Sequence, residues 1–246
     1  MKLFGLIGFP LSHSFSRKYF LQKFDQEGIS DCDYQLFPIE NVDELPKLIQ
    51  KHPNLKGLNV TIPYKQQVIP FLWQISDSAE KIGAVNVIKI ENGQLYGFNS
   101  DYYGFKQSLI NFIPGTENIK ALVLGTGGAA KAVKIVLQDL RIEYLPVSRG
   151  ALEEGLTYQE LEKKPEVIAE HQLIINTTPL GMSPAVDTAP HIDYQLLTDN
   201  HYLFDLVYNP EETLFMQFGS RAGAKVKNGL EMLYLQAEKS WEIWNG

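Results

Sequence analysis

The chain has few of the features that mark disulfide-bonded, membrane-bound or secreted proteins. Its 246 residues contain one cysteine, Cys32, so no internal disulfide can form and a reducing compartment is permitted. No apolar run reaches the length of a membrane-spanning helix, and the first residues lack the pattern of a secretory signal peptide. We therefore expect a cytoplasmic protein that has no membrane partner.

Positive charge is also scarce. The chain has 22 lysine and arginine residues against 29 aspartate and glutamate residues, a formal net charge of -7. This balance disfavours a nucleic-acid partner, because phosphate binding needs a basic surface. The 5 histidines show no paired ligand spacing, so we expect no metal site. A hydrophobic content of 44% is ordinary for a folded protein, and the length fits one large or two modest domains.

Segments with the patterns of strands and helices alternate along the chain, which predicts an α/β protein with mostly parallel sheets. Periodicity places strands at residues 3–9, 34–38, 57–62, 121–124, 143–147, 173–176 and 202–206. It places helices at residues 17–27, 42–50, 64–73, 104–111, 131–140 and 230–244. Asn92-Gly93, between residues 83–90 and 94–99, is the strongest short signal for a β-hairpin.

The segment Gly125-Thr126-Gly127-Gly128-Ala129-Ala130 has the dinucleotide-binding pattern G-x-G-x-x-A between a strand and a helix. Gly125 permits the tight turn, Gly127 lets the backbone approach a pyrophosphate, and small Ala130 lets helix and strand pack closely. The helix N-terminus offers N–H groups to the phosphates. The pattern predicts a bound dinucleotide; the alternative is a glycine turn that is only structural.

Ser148-Arg149 follows the next strand, at the place where an NAD-selective site has a carboxylate that binds the ribose 2′-hydroxyl. A guanidinium can bind a 2′-phosphate through two hydrogen bonds, whereas a carboxylate would repel it. The sequence therefore favours NADP over NAD, unless Arg149 is simply a solvated loop residue.

Polar residues collect near the predicted hairpin and at the carboxyl end of a strand. A two-residue loop would pair Asn86 with Asn99, and Asp101, two residues further on, would share that face of the strand. Amides and carboxylates bind hydroxyls well, although polar residues also cap loops. Lys65 follows the strand at 57–62, at the edge where ligands of parallel sheets bind; it could equally be a surface lysine.

Four further polar residues lie near strand ends. Asn59 and Thr61 point to the opposite side of their strand from its apolar residues and could line the same cleft as Lys65. Ser14 and Ser16 follow the first strand, and Ser16 could simply cap the next helix. No G-x-S-x-G elbow surrounds these serines, so we do not expect a nucleophilic serine.

Taken in order, motifs from the whole chain resemble those of the shikimate dehydrogenase family. They are GFP (8–10), HSFS (13–16), GLNVTIPYK (57–65), GAVN (83–86), GFNSDYYG (97–104), GTGGAA (125–130), SR (148–149), NTTPLGM (176–182), DLVYNP (205–210) and NGLEMLYLQA (228–237). Each motif is modest by itself, but the ordered set is highly specific.

The resemblance implies a fold and an activity. The fold is an N-terminal α/β substrate domain, residues 1–103 completed by a C-terminal helix at 229–246, and a Rossmann-type NADP-binding domain at 104–228. The activity is reversible, NADP-linked reduction of 3-dehydroshikimate to shikimate, on the route to chorismate and the aromatic amino acids. We expect a small-molecule substrate and a monomer or homodimer. Two alternatives stay open: a dehydrogenase that also accepts quinate, and a non-catalytic NADPH-binding regulatory protein.

The resemblance also implies roles for individual residues. Lys65 and Asp101 match the family's acid/base pair. The residues that match substrate-binding positions are Ser14, Ser16, Thr61, Asn86, Tyr208 and Gln236. Those that match cofactor-binding positions are Gly125, Gly127, Gly128, Ala129, Arg149, Asn176, Thr177, Met182 and Gly229. Two further residues are added because of their positions in the chain and not because of the resemblance. Asn59 joins the substrate-binding set, and Ser148 joins the cofactor-binding set.

The chain departs from the family pattern at three places. Arg17 stands where the family usually has proline, and Ser100 stands where threonine is commoner. After Arg149, no second cation follows before Lys163. The last departure predicts a weaker preference for NADP than the family usually has.

Overall fold

The structure is a computed structural model that describes residues 1–11 and 14–246. It separates into two compact units, the first formed by Met1–Tyr103 with Gln236–Gly246 and the second by Gly104–Leu235. The chain returns to the first unit later than the predicted boundary at residue 229, inside its last helix. Among the described residues, no helix combines the length and the apolar composition needed to cross a membrane.

The first unit is built on a six-stranded sheet. Its strands are β1 (Lys2–Gly8), β2 (Cys32–Pro38), β3 (Leu55–Val60), β4 (Gln74–Ile75), β5 (Val87–Glu91) and β6 (Gln94–Phe98). Its helices are α1 (Phe15–Gln26), α2 (Leu45–Lys51), α3 (Asp77–Ile82), the start of α4 (Ser100–Phe112) and the end of α9 (Leu230–Asn245). The strand order is β2-β1-β3-β5-β6-β4, with β1 parallel to β2 and β3, and β5 antiparallel to β3 and β6.

From Gly57 to Val60, strand β3 is buried on both faces. Leu58 and Val60 lie in one apolar core of the unit. The opposite face carries Gly57 and Asn59 and is covered by helix α9. A Cβ atom on Gly57 would stand 2.3 Å from the Trp244 indole. The helix therefore packs directly on the strand backbone, and it encloses the polar side chain of Asn59.

The hairpin of β5 and β6 has the register that the sequence predicts. Glu91 pairs with Gln94, and the two loop residues, Asn92 and Gly93, have φ of 51 and 77, as a type I′ turn requires. Asn86 continues the pairing, since its N–H donates to the opposite strand at 3.0 Å. The amide side chains before β5 and after β6 are thus brought to one end of the hairpin.

The face predicted for Asp101 is wrong, because the chain leaves the sheet before that residue. Helix α4 begins at Ser100. The Asn99 side-chain oxygen accepts a hydrogen bond from Tyr102 N–H at 3.1 Å, which caps the helix. Asp101 therefore lies in the first helical turn, where the exposed N–H groups of the helix favour a carboxylate.

The helix predicted at residues 64–73 does not form. That stretch consists of turns and a short 3₁₀ helix, Ile69–Phe71. Pro70 gives the physical reason, since it lacks an N–H donor and its ring clashes with the preceding helical turn. The buried Tyr64 hydroxyl donates to the Ile39 carbonyl at 2.6 Å, which holds the turn that carries Lys65.

The second unit is a parallel sheet flanked by helices. Its strands are β7 (Lys120–Leu124), β8 (Glu143–Ser148), β9 (Leu156–Thr157), β10 (Leu173–Asn176), β11 (Tyr202–Asp205) and β12 (Lys225–Lys227). Besides its parts of α4 and α9, its helices are α5 (Gly128–Asp139), α6 (Tyr158–Glu162), α7 (Pro165–Glu170) and α8 (Leu214–Arg221). The order β12-β11-β10-β7-β8-β9, with all pairs parallel, is that of a Rossmann sheet. The predicted α/β class is confirmed.

The carboxyl end of β7 is the topological switch point of this sheet. The chain continues from β7 to β8 on one side, while β10 pairs with β7 on the other. Ligands of open parallel sheets bind at such points. The glycine segment that begins at Gly125 follows β7 directly, so topology and motif point to the same edge.

Replacing Gly57 with alanine is expected to destabilise the protein by about 1–3 kcal/mol, because the new methyl group would overlap the Trp244 indole. Urea denaturation of the variant and the parent measures the loss. Gly115→Ala is the matched control, since a Cβ there meets no atom within 4 Å. A Gly57→Ala protein as stable as the Gly115→Ala protein would contradict the packing of α9 on β3.

Candidate active site

Two charged side chains of the first unit form an ion pair near the end of the hairpin. The Lys65 ammonium lies 2.6 Å from a carboxylate oxygen of Asp101, and the side chains are 34% and 25% exposed. The contact holds each group in place, while the remaining exposure leaves the pair accessible to a small molecule. A lysine and a carboxylate in such contact can bind a hydroxyl and exchange a proton with it.

Backbone hydrogen bonds fix the turn that carries Lys65. The Lys65 carbonyl accepts from Val85 N–H at 2.7 Å, which ties the turn to the segment that leads into β5. Thr61 N–H donates to the Ile7 carbonyl at 2.9 Å, so the half-buried Thr61 lies beside the end of β1. Two predicted site residues, Lys65 and Thr61, are thus placed by backbone contacts to neighbouring strands.

Asn86 is buried and its amide has a fixed orientation. Its Oδ1 accepts from Ser100 N–H at 2.7 Å, and its Nδ2 donates to the Ser100 hydroxyl at 3.1 Å. Since a backbone N–H can only donate, the oxygen end of the amide must face it. Asn99 donates to the Ala84 carbonyl at 2.9 Å. Both amides therefore tie the hairpin to the start of α4, immediately before Asp101.

The two serines after β1 make different contacts. Ser14, not Ser16, caps α1, because its hydroxyl accepts a backbone N–H of the first turn at 3.3 Å. Ser16 lies inside that turn, near Tyr34. Burial raises the pKa of Tyr34 well above its usual value, against the opposing effect of Ser16, so Tyr34 stays protonated. His13, the first residue of the same motif, lies outside the described residues.

Asn59, which is predicted to line the same cleft as Lys65, is enclosed by its neighbours. It is 6% exposed, its Oδ1 accepts from the Tyr34 hydroxyl at 2.8 Å, and its Nδ2 donates to the Ser240 hydroxyl at 3.0 Å. The reason is that α9 covers that face of β3. Gln236, the predicted substrate ligand on α9, is also buried, and the Ser100 hydroxyl lies 3.3 Å from its Oε1.

The glycine turn after β7 requires the residues that the motif supplies. Gly125 has φ of 106, and a Cβ on it would stand 2.7 Å from Thr177 Oγ1. At Gly127 and Gly128, a Cβ would meet no atom within 4 Å. The turn is therefore tight at Gly125, which faces Thr177, and open at Gly127 and Gly128.

The start of helix α5 fits a bound pyrophosphate. Gly127 caps the helix without a side-chain hydrogen bond, and the first turn has no acidic residue. Ala129 is exposed, while Ala130 is buried against the sheet. The first N–H groups of the helix thus carry a partial positive charge that no side chain of the turn neutralises.

Ser148 and Arg149, at the end of β8, are placed differently. Ser148 is buried and its hydroxyl donates to the Gly150 carbonyl, so its predicted contact with the cofactor is not favoured. Arg149 is exposed. Burial raises the pKa of the nearby Tyr158 to about 12, although the Arg149 charge lowers it. Of this pair, only Arg149 presents a charge suited to a 2′-phosphate.

A buried carboxylate that the sequence did not single out organises the loop after β10. Asp205 accepts hydrogen bonds from Asn176 Nδ2 at 2.9 Å, Val207 N–H at 3.0 Å and the Thr213 hydroxyl at 2.6 Å. Burial raises the pKa of Asp205 to about 6, although these three hydrogen bonds lower it. Asn176, predicted to lie beside the cofactor, is itself fully buried and shapes this loop. The feature that could have singled out Asp205 is its position opposite Asn176 on the adjacent strand.

The remaining predicted residues belong to the second unit. The Thr177 hydroxyl donates to the backbone at the end of β7 at 2.7 Å, which joins this loop to the glycine turn. Met182 and Tyr208 are both exposed. A Cβ on Gly229 would stand 2.2 Å from the Leu206 carbonyl oxygen, so only glycine allows this approach.

Similarity to known proteins identifies the family. A profile of the shikimate dehydrogenase substrate binding domain matches residues 6–88. The shikimate dehydrogenase (NADP(+)) of Clostridium beijerinckii is 43% identical, over 99% of this chain and 92% of its own length. The chain belongs to the shikimate dehydrogenase family.

Solved structures agree with this assignment. The chorismate mutase/shikimate 5-dehydrogenase fusion protein of Clostridium acetobutylicum has a TM-score of 0.87 and 36% identity, covering 100% of this chain and 91% of that chain. The shikimate 5-dehydrogenase of Thermus thermophilus, in complex with NADP(H) and shikimate, has a TM-score of 0.83 and 26% identity, covering 100% and 94%. The family is one of NADP-dependent oxidoreductases, and neither alternative, a quinate enzyme or a non-catalytic protein, is favoured.

Asp205→Ala is expected to lower the thermal stability of the protein, because three buried donors lose their acceptor at about 1–3 kcal/mol each. Asp205→Asn, which keeps an acceptor, is expected to lose less. Thermal unfolding of both variants measures the difference. Equal loss in the two variants would show that the hydrogen bonds to Asp205 contribute little.

The stability difference between the parent and Asp205→Asn should also depend on pH. The pKa of Asp205 is about 6 in the folded protein and about 3.9 in an unfolded chain. Between these values the folded form holds the extra proton, so the parent loses stability as pH rises, by at most about 1.4 kcal/mol per unit. Unfolding is measured for both proteins from pH 4 to pH 7. The free energy of unfolding of the parent, relative to that of Asp205→Asn, should decline as pH rises and stop declining above about pH 6. A difference that stays constant across this range would contradict the raised pKa.

Proposed function

We propose that the chain catalyses the reversible, NADP-linked reduction of 3-dehydroshikimate to shikimate. The observation that carries the proposal is the 2.6 Å contact between Lys65 and Asp101, next to the fixed amide of Asn86. Membership of a family of NADP-dependent shikimate dehydrogenases supplies the substrate and the cofactor. We place the reaction in the cytoplasm, where NADP is available, and expect a monomer or a homodimer.

Lys65 is the proposed proton donor. NADPH, when bound, supplies the hydride that the ketone carbon receives. The Lys65 ammonium gives a proton to the ketone oxygen as the C–O double bond becomes single, which leaves a neutral secondary alcohol. Asp101 accepts a hydrogen bond from Lys65 and, once the alcohol has formed, accepts one from its hydroxyl. In the reverse direction, neutral Lys65 takes the hydroxyl proton.

The other polar residues suit a small acid that carries several hydroxyls. Ser14 and Ser16 lie in the first turn region of α1, where hydroxyl donors and the helix N-terminus favour a carboxylate. Amide and hydroxyl groups can both donate to and accept from the hydroxyls of a ring. The residues proposed for these remaining contacts are Thr61, Asn86, Tyr208 and Gln236.

The second unit is the proposed cofactor site. The open backbone at Gly127 and Gly128 suits the pyrophosphate, and the exposed Arg149 guanidinium suits the 2′-phosphate of NADP. Thr177 and the loop shaped by Asn176 are proposed to lie beside the cofactor. Met182 and Gly229 are proposed to lie near its nicotinamide.

Lys65→Ala is expected to lower kcat for shikimate oxidation by about two to four orders of magnitude, because the reacting oxygen loses its proton acceptor. The KM for NADP should change little. Absorbance at the nicotinamide band, with shikimate and NADP, measures both constants. Lys56→Ala, a change to an exposed lysine on β3, is the matched control. If Lys65→Ala turns over at the rate of Lys56→Ala, the proposed role of Lys65 is wrong.

Arg149→Ala is expected to raise the KM for NADP by about 10- to 100-fold and to leave that for NAD unchanged. A charged hydrogen bond to the 2′-phosphate contributes about 1.5–3 kcal/mol, and NAD lacks that phosphate. Steady-state rates with each cofactor at saturating shikimate give the comparison. Arg221→Ala, at an exposed arginine near the end of α8, is the control. Equal weakening of both cofactors by Arg149→Ala would rule out the phosphate contact.

A further inference from the structure

A chain of hydrogen bonds runs through the interior of the first unit, from Tyr34 on strand β2 to helix α9. The Tyr34 hydroxyl donates to Asn59 Oδ1 at 2.8 Å. Asn59 Nδ2 then donates to the Ser240 hydroxyl at 3.0 Å. Ser240 donates in turn to the backbone carbonyl of Gln236 at 2.9 Å. The chain thus ends at Gln236, a residue proposed to bind the substrate.

A second branch joins this chain at Ser240. Asn86 Nδ2 donates to the Ser100 hydroxyl at 3.1 Å. The Ser100 hydroxyl lies 3.2 Å from the Ser240 hydroxyl and 3.3 Å from Gln236 Oε1. The two serines thus connect the amide before β5 with the amide on α9, although these residues are far apart in the sequence.

The direction of each hydrogen bond in the network follows from the donors available. Asn59 accepts from Tyr34 at its oxygen, so its nitrogen must donate to Ser240. Ser240 has one proton, which the Gln236 carbonyl receives, so Ser240 is left as an acceptor for Ser100. The Ser100 hydroxyl can donate its proton to Ser240, to Gln236 Oε1 or, at 3.4 Å, to Asn86 Oδ1. When Gln236 Oε1 receives it, the oxygen end of the Gln236 amide faces Ser100.

These polar groups occupy positions where apolar side chains would normally pack. Tyr34, Ser100 and Ser240 are fully buried, and Asn59 is nearly so. Burying such groups costs free energy unless every one of them is hydrogen-bonded, and a serine inside a helix brings no packing advantage. A neutral, fully bonded network does, however, restrict its members to one arrangement.

We propose that Tyr34, Asn59, Ser100 and Ser240 form a positioning network that orients the amides of Asn86 and Gln236 for the hydroxyls of the substrate, with Ser240 as its junction. The proposal rests on the proposed function of this site, and it adds residues that do not themselves touch the substrate. It also gives a reason why Asn59 is buried: it acts on the substrate site through Ser240 and not by contact.

The test compares Ser240→Ala, Ser100→Ala, the double variant and Ser100→Thr with the parent. Steady-state kinetics give kcat and the KM values for shikimate and NADP, and titration calorimetry gives the Kd for shikimate without turnover. Ser108→Ala is the matched control, because Ser108 is a buried serine on the same helix α4 whose hydroxyl bonds Glu231 at 2.7 Å, outside the network.

Ser240→Ala is expected to raise the KM and Kd for shikimate by about five- to tenfold, the effect of one or two buried hydrogen bonds. Its kcat and its KM for NADP should stay within about threefold of the parent. Ser100→Ala should raise the Kd for shikimate by a similar factor, and Ser100→Thr, which keeps the hydroxyl, should have the Kd of the parent. The double variant should raise this Kd by less than the product of the two single fold-changes, since both residues act through one network.

Three results would overturn the proposal: a change of less than about twofold in the shikimate Kd of Ser240→Ala, equal loss of shikimate and NADP binding, or a double variant equal to the product of the singles. If Ser240→Ala does not fold, Tyr34→Phe decides instead, because it removes one hydroxyl and keeps the ring. An unchanged shikimate Kd in Tyr34→Phe would then overturn the proposal. A parent protein that binds shikimate without turnover would refute the proposed function alone, and one that does not bind shikimate would refute both.

Discussion

The junction between strand β6 and helix α4 is the constraint on which the site of the first unit depends. Asn99 caps the helix, and the Ser100 backbone binds Asn86 across the hairpin end. Asp101 therefore starts from a fixed helical turn, and Lys65 meets it from a turn that the Val85 N–H holds. Two side chains anchored in this way lose little further freedom when they pair, so their contact can be close although both are partly exposed.

In the second unit, a buried carboxylate fixes the position of a loop. Asp205 accepts from three donors, one of them on the neighbouring strand β10, and it keeps them although burial disfavours its own ionised form. The loop that it shapes then bonds the end of β7 through Thr177. As a result, the glycine turn is supported on one side by Thr177, while at Gly127 and Gly128 it is open, and backbone N–H groups there are the donors that a phosphate needs.

Local patterns predicted the parts of the molecule that local chemistry controls. Asn92-Gly93 set the hairpin register because both residues accept positive φ, and the motif from Gly125 lies between a strand and a helix as predicted. The helix at residues 64–73 failed because its apolar spacing was outweighed by Pro70. The alternation along β3 assigned Asn59 to the correct side of the strand, but it carried no information on what covers that side. The alternative that Ser16 caps helix α1 is wrong, because Ser14 makes that contact; either serine fits the pattern.

The sequence by itself determined the α/β class and the glycine turn, because each depends on residue types at short spacing. The ordered motifs along the chain determined the family resemblance, and that resemblance implied the charged pair. Only the tertiary structure decided that Lys65 and Asp101 meet, that Asn59 and Ser240 bond in the interior, and that Asp205 holds the loop after β10. The physical reason is that these contacts join segments far apart in the chain. Their distances depend on how strands and helices pack, and no periodicity within one segment records that packing.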